Sequence, residues 1–311
     1  MPWPFHRRPA LDADHPDALI NAHNRAIELG ERGQHQQARE LDEDTLERRR
    51  RVLGPDHPST LATANNLAAD LRELGERQQA RELDEDTLGR RRRVLGDDHP
   101  GTLANASALA GDLRALGDHR QARDLDAFAL AGRRRIHGDD DIQTLQAAHF
   151  LGLDLRALGE FQPARELDAD SLERRHRTLG DDHPDTLINA HNLAVDLREL
   201  GEHQHSRALD ENTLERRRRT LGDDHPNTLN SANNLAADLR ALGEHQQARE
   251  LDEDTLRRRR RVLGDDHPGT LANARALATA LQALGETERS AALLAEFGLA
   301  PDVATESAER R

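Results

Sequence analysis

Gly96-Asp97-Asp98-His99-Pro100-Gly101-Thr102-Leu103 is a stop, a turn and a start. Glycine supplies the left-handed residue that closes a helix, and proline, lacking an N–H, fits the first position of the next. The same Asp-His-Pro punctuation stands at Asp14-His15-Pro16, Asp56-His57-Pro58, Asp182-His183-Pro184, Asp224-His225-Pro226 and Asp266-His267-Pro268. Neighbouring copies lie 42 residues apart, except across one gap of 84. In the middle of that gap Asp140-Asp141-Ile142 keeps the place in degenerate form. A fixed period of this size marks a solenoid. The chain therefore reads as seven units over residues 14–300, with a leader or N-terminal cap over 1–13 and a disordered tail over 301–311.

Within one period, residues 58–99, the pattern predicts two helices. Helix A starts at Pro58 and runs to about Leu74, with Leu61, Ala64, Leu67, Ala68 and Leu71 on one side and Asn65, Asn66, Ala69 and Arg72 on the other. Gly75 ends it. Helix B runs from about Arg77 to Leu95, with Ala80, Leu83, Thr87, Leu88, Val94 and Leu95 on its apolar stripe. Its acids precede its arginines, an order that complements the helix dipole, and Asp86 and Arg90 stand four apart as a surface pair. Asp84 and Arg91 fall on the inward stripe and recur as Asp42/Arg49, Asp126/Arg133, Asp168/Arg175, Asp210/Arg217 and Asp252/Arg259. An ion-pair ladder between them that fixes stacking register is the expectation. The last helix changes character from Glu286, places Leu294 in the aspartate column, and reads as a shortened cap.

Composition narrows the function. With 35% hydrophobic, 33% charged and 2% aromatic residues, the core has to come from regularly phased Leu, Ala and Val. A net charge of −14 argues against nucleic acid as the partner. No cysteine is present, and all 44 basic residues are arginine, which suggests a GC-rich, bacterial coding bias. Without lysine there is no phosphate-binding Walker loop, and no nucleophile elbow or His-Glu-x-x-His pair occurs. The Asp-Asp-His-Pro turns look ligand-like, but their repetition at every turn speaks for helix capping. No cofactor, metal or catalytic residue is nominated, and the start of the chain has no signal-like apolar segment. A cytoplasmic, non-enzymatic protein is expected.

The residues at 95–103, with Asn233-Asn234-Leu235-Ala236 and Asp238-Leu239 leading to Gln247-Ala248-Arg249, resemble tetratricopeptide repeats. The likeness is to the 42-residue variety of kinesin light chains and bacterial regulatory proteins. It implies an all-α fold, a right-handed superhelix of seven antiparallel helix pairs, whose A helices form a concave wall that binds protein or peptide segments. It further implies a groove lined by Asn24, Asn65, Asn66, His149, Phe150, His191, Asn192, Asn233 and Asn234, with Arg72, Arg114, Arg156, Arg198 and Arg240 towards its edge. Independently, an amide offers a donor and an acceptor to an extended backbone, and arginines offer forks for acidic side chains. The alternative reading is a structural module that self-assembles through repeat faces.

Overall fold

Each repeat starts where its proline permits. His15, His57, His99, His183, His225 and His267 are N-caps in extended conformation, and each imidazole accepts a hydrogen bond from the backbone N–H two residues on. Asp141 caps the helix at the degenerate turn, accepting from Gln143 and Thr144. The cap is thus histidine wherever Asp-His-Pro is intact. The turn aspartates are left to face the next B helix, where Asp14, Asp98, Asp182 and Asp224 pair with Arg51, Arg135, Arg219 and Arg261. Those pairs neutralise one arginine each in the runs that end these B helices.

The computed structural model describes residues 12–300, so residues 1–11 of the expected leader over 1–13 and the whole expected tail over 301–311 lie outside the described residues. Among the described residues there are fourteen helices and no strand. They fall into two compact units, through Leu158 and from Gly159. The first holds α1 (Pro16–Glu31), α2 (His35–Val52), α3 (Pro58–Glu73), α4 (Arg77–Leu95), α5 (Pro100–Ala115), α6 (His119–His137) and α7 (Ile142–Ala157). The second holds α8 (Phe161–Leu179), α9 (Pro184–Glu199), α10 (His203–Leu221), α11 (Pro226–Ala241), α12 (His245–Leu263), α13 (Pro268–Ala283) and the short α14 (Thr287–Glu296). Inside each unit every helix packs on the one before it, and consecutive A helices also touch, as α1 does α3 and α11 does α9 and α13.

Gly75 ends α3 with φ +80°, and Glu76 N–H reaches back to Leu71 O at 2.8 Å, closing the orphan carbonyls of the last turn. Gly96 closes α4 with φ +89°. The core then forms from three helices at a time. Leu88 of α4, Ala106, Leu109, Ala110 and Leu113 of α5, and Ala122 and Ala129 of α6 make one cluster. Leu46, Ala64, Leu67, Ala68, Leu71 and Ala80 make the preceding one. The second unit repeats the arrangement with Leu214, Ala232, Leu235, Leu239 and Ala248. Each A helix is therefore gripped between the B helix before it and its own. Val94, expected on the inward stripe, is 47% exposed, whereas Leu95 beside it is half-buried.

Two helix-interior glycines separate propensity from packing. At Gly111 an added methyl meets nothing within 4 Å, whereas at Gly132 it would overlap both methyls of the buried Leu103. Gly111→Ala is expected to raise the unfolding free energy by about 0.5–1 kcal/mol. Gly132→Ala is expected to lower it by about 1–2 kcal/mol, because overpacking outweighs the same helix gain. Paired urea titrations followed by circular dichroism read both; a stabilising Gly132→Ala would contradict the packing described.

Candidate functional site

The A helices carry the residues expected to meet a ligand. In the first unit Asn24 is exposed on α1, while Asn65 and Asn66 are half-buried on α3. The buried Nδ2 of Asn66 has no acceptor in reach. His149 and Phe150 are half-buried on α7, their rings 5.6 Å apart, and the guanidinium of Arg114 lies 5.3 Å from the Phe150 centroid. In the second unit Asn233 and Asn234 are half-buried on α11, and the Asn234 amide donates to His191 Nδ1 of α9 at 3.1 Å. Asn233 Oδ1 is buried without a donor. Asn192 differs from expectation: at 9% exposure it belongs more to the α9 interior than to a surface.

The arginines near the ends of α3, α5, α9 and α11 have a different position from the one expected at a groove edge. Arg72 donates to Asp84 at 2.6 Å and to Asp112 at 3.0 Å, both carboxylates being fully buried. Arg114 holds Asp154 through Nε at 2.9 Å and through its terminal nitrogen at 2.8 Å, and also bonds Asp126. In the second unit Arg198 grips Asp238 at 2.7 and 3.0 Å and Asp210 at 2.6 Å. Arg240 bonds Asp252, and the column that should supply its second carboxylate holds Ala280. Each of these arginines is a hub that ties its A helix to its own B helix, and Arg72, Arg114 and Arg198 reach the next A helix as well. Arg156 keeps the register of the column and is half-buried.

Burial pushes Asp84 up to about 6, against the pull of Arg72, and Asp126 up to about 7, against that of Arg114. For Arg72, burial works against the charge, but Asp84 and Asp112 outweigh it and raise its pKa. Asn105 adds a further bond to Asp84 at 2.7 Å, as Asn189 does to Asp168 at 2.9 Å and Asn273 to Asp252 at 2.9 Å. Sequence reasoning misses these three buried asparagines. Their column runs Thr63, Asn105, Ala147, Asn189, Ser231 and Asn273, polar in all but Ala147 on an otherwise apolar face, and that is the signal that could have found them.

The expected ladder between Asp84 and Arg91 is not what holds the register. Arg91 donates instead to the backbone carbonyls of Gly101 at 2.5 Å and Leu61 at 3.1 Å. Arg49 does the same to Ser59 and Leu19, Arg217 to Asn227 and Leu187, and Arg259 to Gly269 and Leu229. A planar fork suits two carbonyls on different helices, so each buried arginine ties successive A helices together. Burial holds the pKa of Arg49, Arg91, Arg217 and Arg259 below the ordinary arginine value.

The sequence matches the tetratricopeptide-repeat model over residues 17–92, 60–127, 103–175, 187–260 and 229–296. No curated protein sequence matches the chain. Among solved structures, a kinesin light chain-like protein of Podosopora anserina with nearly identical repeats is similar at 27% identity and a TM-score of 0.60. The match covers 68% of this chain and 99% of that one. The apo form of the quorum sensor NprR from B. thuringiensis is similar at 14% identity and a TM-score of 0.56, covering 93% of this chain and 89% of that one. A signal-transduction ATPase with a tetratricopeptide-repeat sensor from Pyrococcus horikoshii is similar at 13% identity and a TM-score of 0.70, covering 91% of this chain and 42% of that one. The last two likenesses concern the fold. No helix among the described residues is long and apolar enough to cross a membrane.

Proposed function

The chain belongs to the tetratricopeptide-repeat family, and we propose that it is a non-catalytic, cytoplasmic scaffold that binds protein or peptide segments through the faces of its A helices. The observation that carries this reading is the unmet hydrogen-bonding capacity of the amides there. Asn66 Nδ2 in the first unit and Asn233 Oδ1 in the second have no partner within the chain. Both side chains are half-buried on A helices, and an amide offers a donor and an acceptor to the N–H and C=O groups of an extended backbone. Asn24 and Asn65 add further amides on the first unit's A helices. The arginine hubs hold the wall in shape and leave the amides to make the contact.

A peptide-display selection on the full chain tests the reading. It is counter-screened against Asn65→Ala/Asn66→Ala for the first unit and Asn233→Ala/Asn234→Ala for the second. Peptides that enrich on the parent and lose about tenfold or more in affinity on either variant support it, since each lost backbone bond is worth about 0.5–1.5 kcal/mol. Enrichment indifferent to both variants would remove the A-helix faces from consideration. Light scattering that shows growth in mass with concentration would move the weight to self-assembly.

A further inference from the structure

The arginine hubs follow a rule that one repeat breaks. Arg72, Arg114 and Arg198 each stand between a buried aspartate of their own B helix and a buried aspartate of the next A helix. In the last repeat all three columns change together: the arginine column holds Gln282, the B-helix column Leu294 and the A-helix column Ala280. Ala280 removes the second acid of Arg240, which still bonds Asp252, whereas Gln282 and Leu294 replace an arginine and its B-helix acid together, Leu294 packing at 5% exposure. In the first repeat only the base is lost. Gly30 stands in the arginine column, while Asp42 and Asp70 remain.

The consequence is visible around Asp42. Its side chain is fully buried, and neither carboxylate oxygen meets a hydrogen-bond donor. Neither its cationic neighbour Arg49 nor the imidazole of His23, whose pKa burial lowers, serves it. Arg49 is spent on the carbonyls of Ser59 and Leu19 and on Thr63, and His23 Nδ1 is 4.0 Å away. A cavity of about 210 Å³ opens beside Gly30, lined by Asp42, Asp70, Glu31, Glu73, His35 and Asn66 among others. Four carboxyl groups and one imidazole stand on this wall among the apolar side chains of Ala26, Ile27 and Ala69. His35 bonds Asp70 at 2.9 Å, but His119 bonds Asp154 at 3.2 Å in a repeat that also has its arginine. The histidine therefore accompanies the guanidinium and does not replace it.

We propose that the cavity between α1, α2 and α3 is a binding site for a guanidinium group supplied in trans, seated between Asp42 and Asp70 as Arg114 is between Asp126 and Asp154. The geometry of the filled hubs sets the selectivity. Arg114 and Arg198 present Nε and one terminal nitrogen side by side to the A-helix carboxylate, and share a terminal nitrogen with the B-helix carboxylate. A planar fork sets two parallel donors on one carboxylate while a terminal nitrogen reaches the other; an ammonium has three donors but no such fork, and loses the two-point contact to the A-helix carboxylate. The site requires no assumption about a peptide along the A-helix faces. A free guanidino compound and an arginine side chain of a partner carry the same chemistry.

Isothermal titration of the full chain with methylguanidinium, with methylammonium, and with blocked Gly-Arg-Gly and Gly-Lys-Gly peptides tests this. Saturable one-to-one binding of methylguanidinium, at least about tenfold tighter than methylammonium, is expected. Equal or tighter binding of the arginine peptide assigns the group to a protein partner; binding of the small cation alone assigns it to a free guanidino compound. Asp42→Asn should abolish binding. Gly30→Arg should also abolish it and raise the melting temperature by refilling the hub; a Cβ there lies 3.2 Å from Asp70 Oδ1, so Asp70 has to yield by only tenths of an ångström. Circular dichroism melts confirm that both variants fold, and either one suffices if the other does not. No saturable binding, no preference over methylammonium, or binding that survives in a folded variant overturns the proposal.

Discussion

Asp42→Asn is expected to raise the unfolding free energy of the ligand-free chain by about 2–4 kcal/mol at pH 8 and to change it little at pH 4. Removing a charge ordinarily weakens a hub, but this carboxylate has no hub. Burial and then the neighbouring Asp70 push Asp42 up to about 7, far above the ordinary 3.8. A raised folded-state value means that the native chain holds the proton more tightly than the unfolded chain does. Below about pH 4 both states are protonated and the site costs nothing. As pH rises through about 4 to 7 the native state resists ionisation, and stability falls; above about 7 the loss is complete. Asparagine keeps the shape without the charge and escapes that loss. The groups that face Asp42 are His23 on α1, Arg49 on its own helix and Asp70 on α3. Urea unfolding at both pH values reads the effect. A variant less stable than the parent at pH 8 would mean that Asp42 is paired in solution.

Arg198→Ala should have the opposite sign and a similar size, a loss of about 3–5 kcal/mol at pH 8. The side chain joins α9, α10 and α11 through Asp210, Asp238 and a weaker 3.4 Å bond to Ser206. Its removal leaves two fully buried carboxylates facing one another; in the last repeat, where Gln282 replaces the arginine, Leu294 replaces the B-helix acid as well. Even with Arg198 present, burial first and Asp238 after it outweigh the arginine's pull and push Asp210 up to about 7. A proton shared between the two acids becomes easier to hold without Arg198, so the loss should shrink at pH 5. Arg219→Ala is the control. Arg219 is 60% exposed, its pair with Asp182 is at the surface, and its loss should cost under about 1 kcal/mol. On the same ground Asp84→Ala should destabilise the chain more than Asp86→Ala, because Asp84 serves Arg72 and Asn105 whereas Asp86 meets Arg90 in the open. Equal unfolding curves for Arg198→Ala and Arg219→Ala would show that the hubs contribute nothing to stacking.

Much of the architecture was legible because it is local. Proline at the first helical position, a capping side chain before it and a glycine at the far end act over a few residues, so helices could be placed almost to the residue from Pro58, Gly75 and Gly96. Alternation of Leu and Ala at helical spacing likewise named the core face, apart from Val94. The family likeness rests on the same local pattern.

What only the tertiary structure decided is which charge meets which. Asp84 and Arg91 share a stripe seven residues apart, and linear spacing made them partners. Stacking brings Arg72 and Asn105 to Asp84, and turns Arg91 towards two carbonyls on different helices. Polar partners are set by distances across helices that periodicity does not encode, because one face of a helix meets two neighbours at once. Gly30 shows the limit most plainly. As a letter it is one more small residue in helix A; in three dimensions it is the place where an arginine is missing between two buried acids.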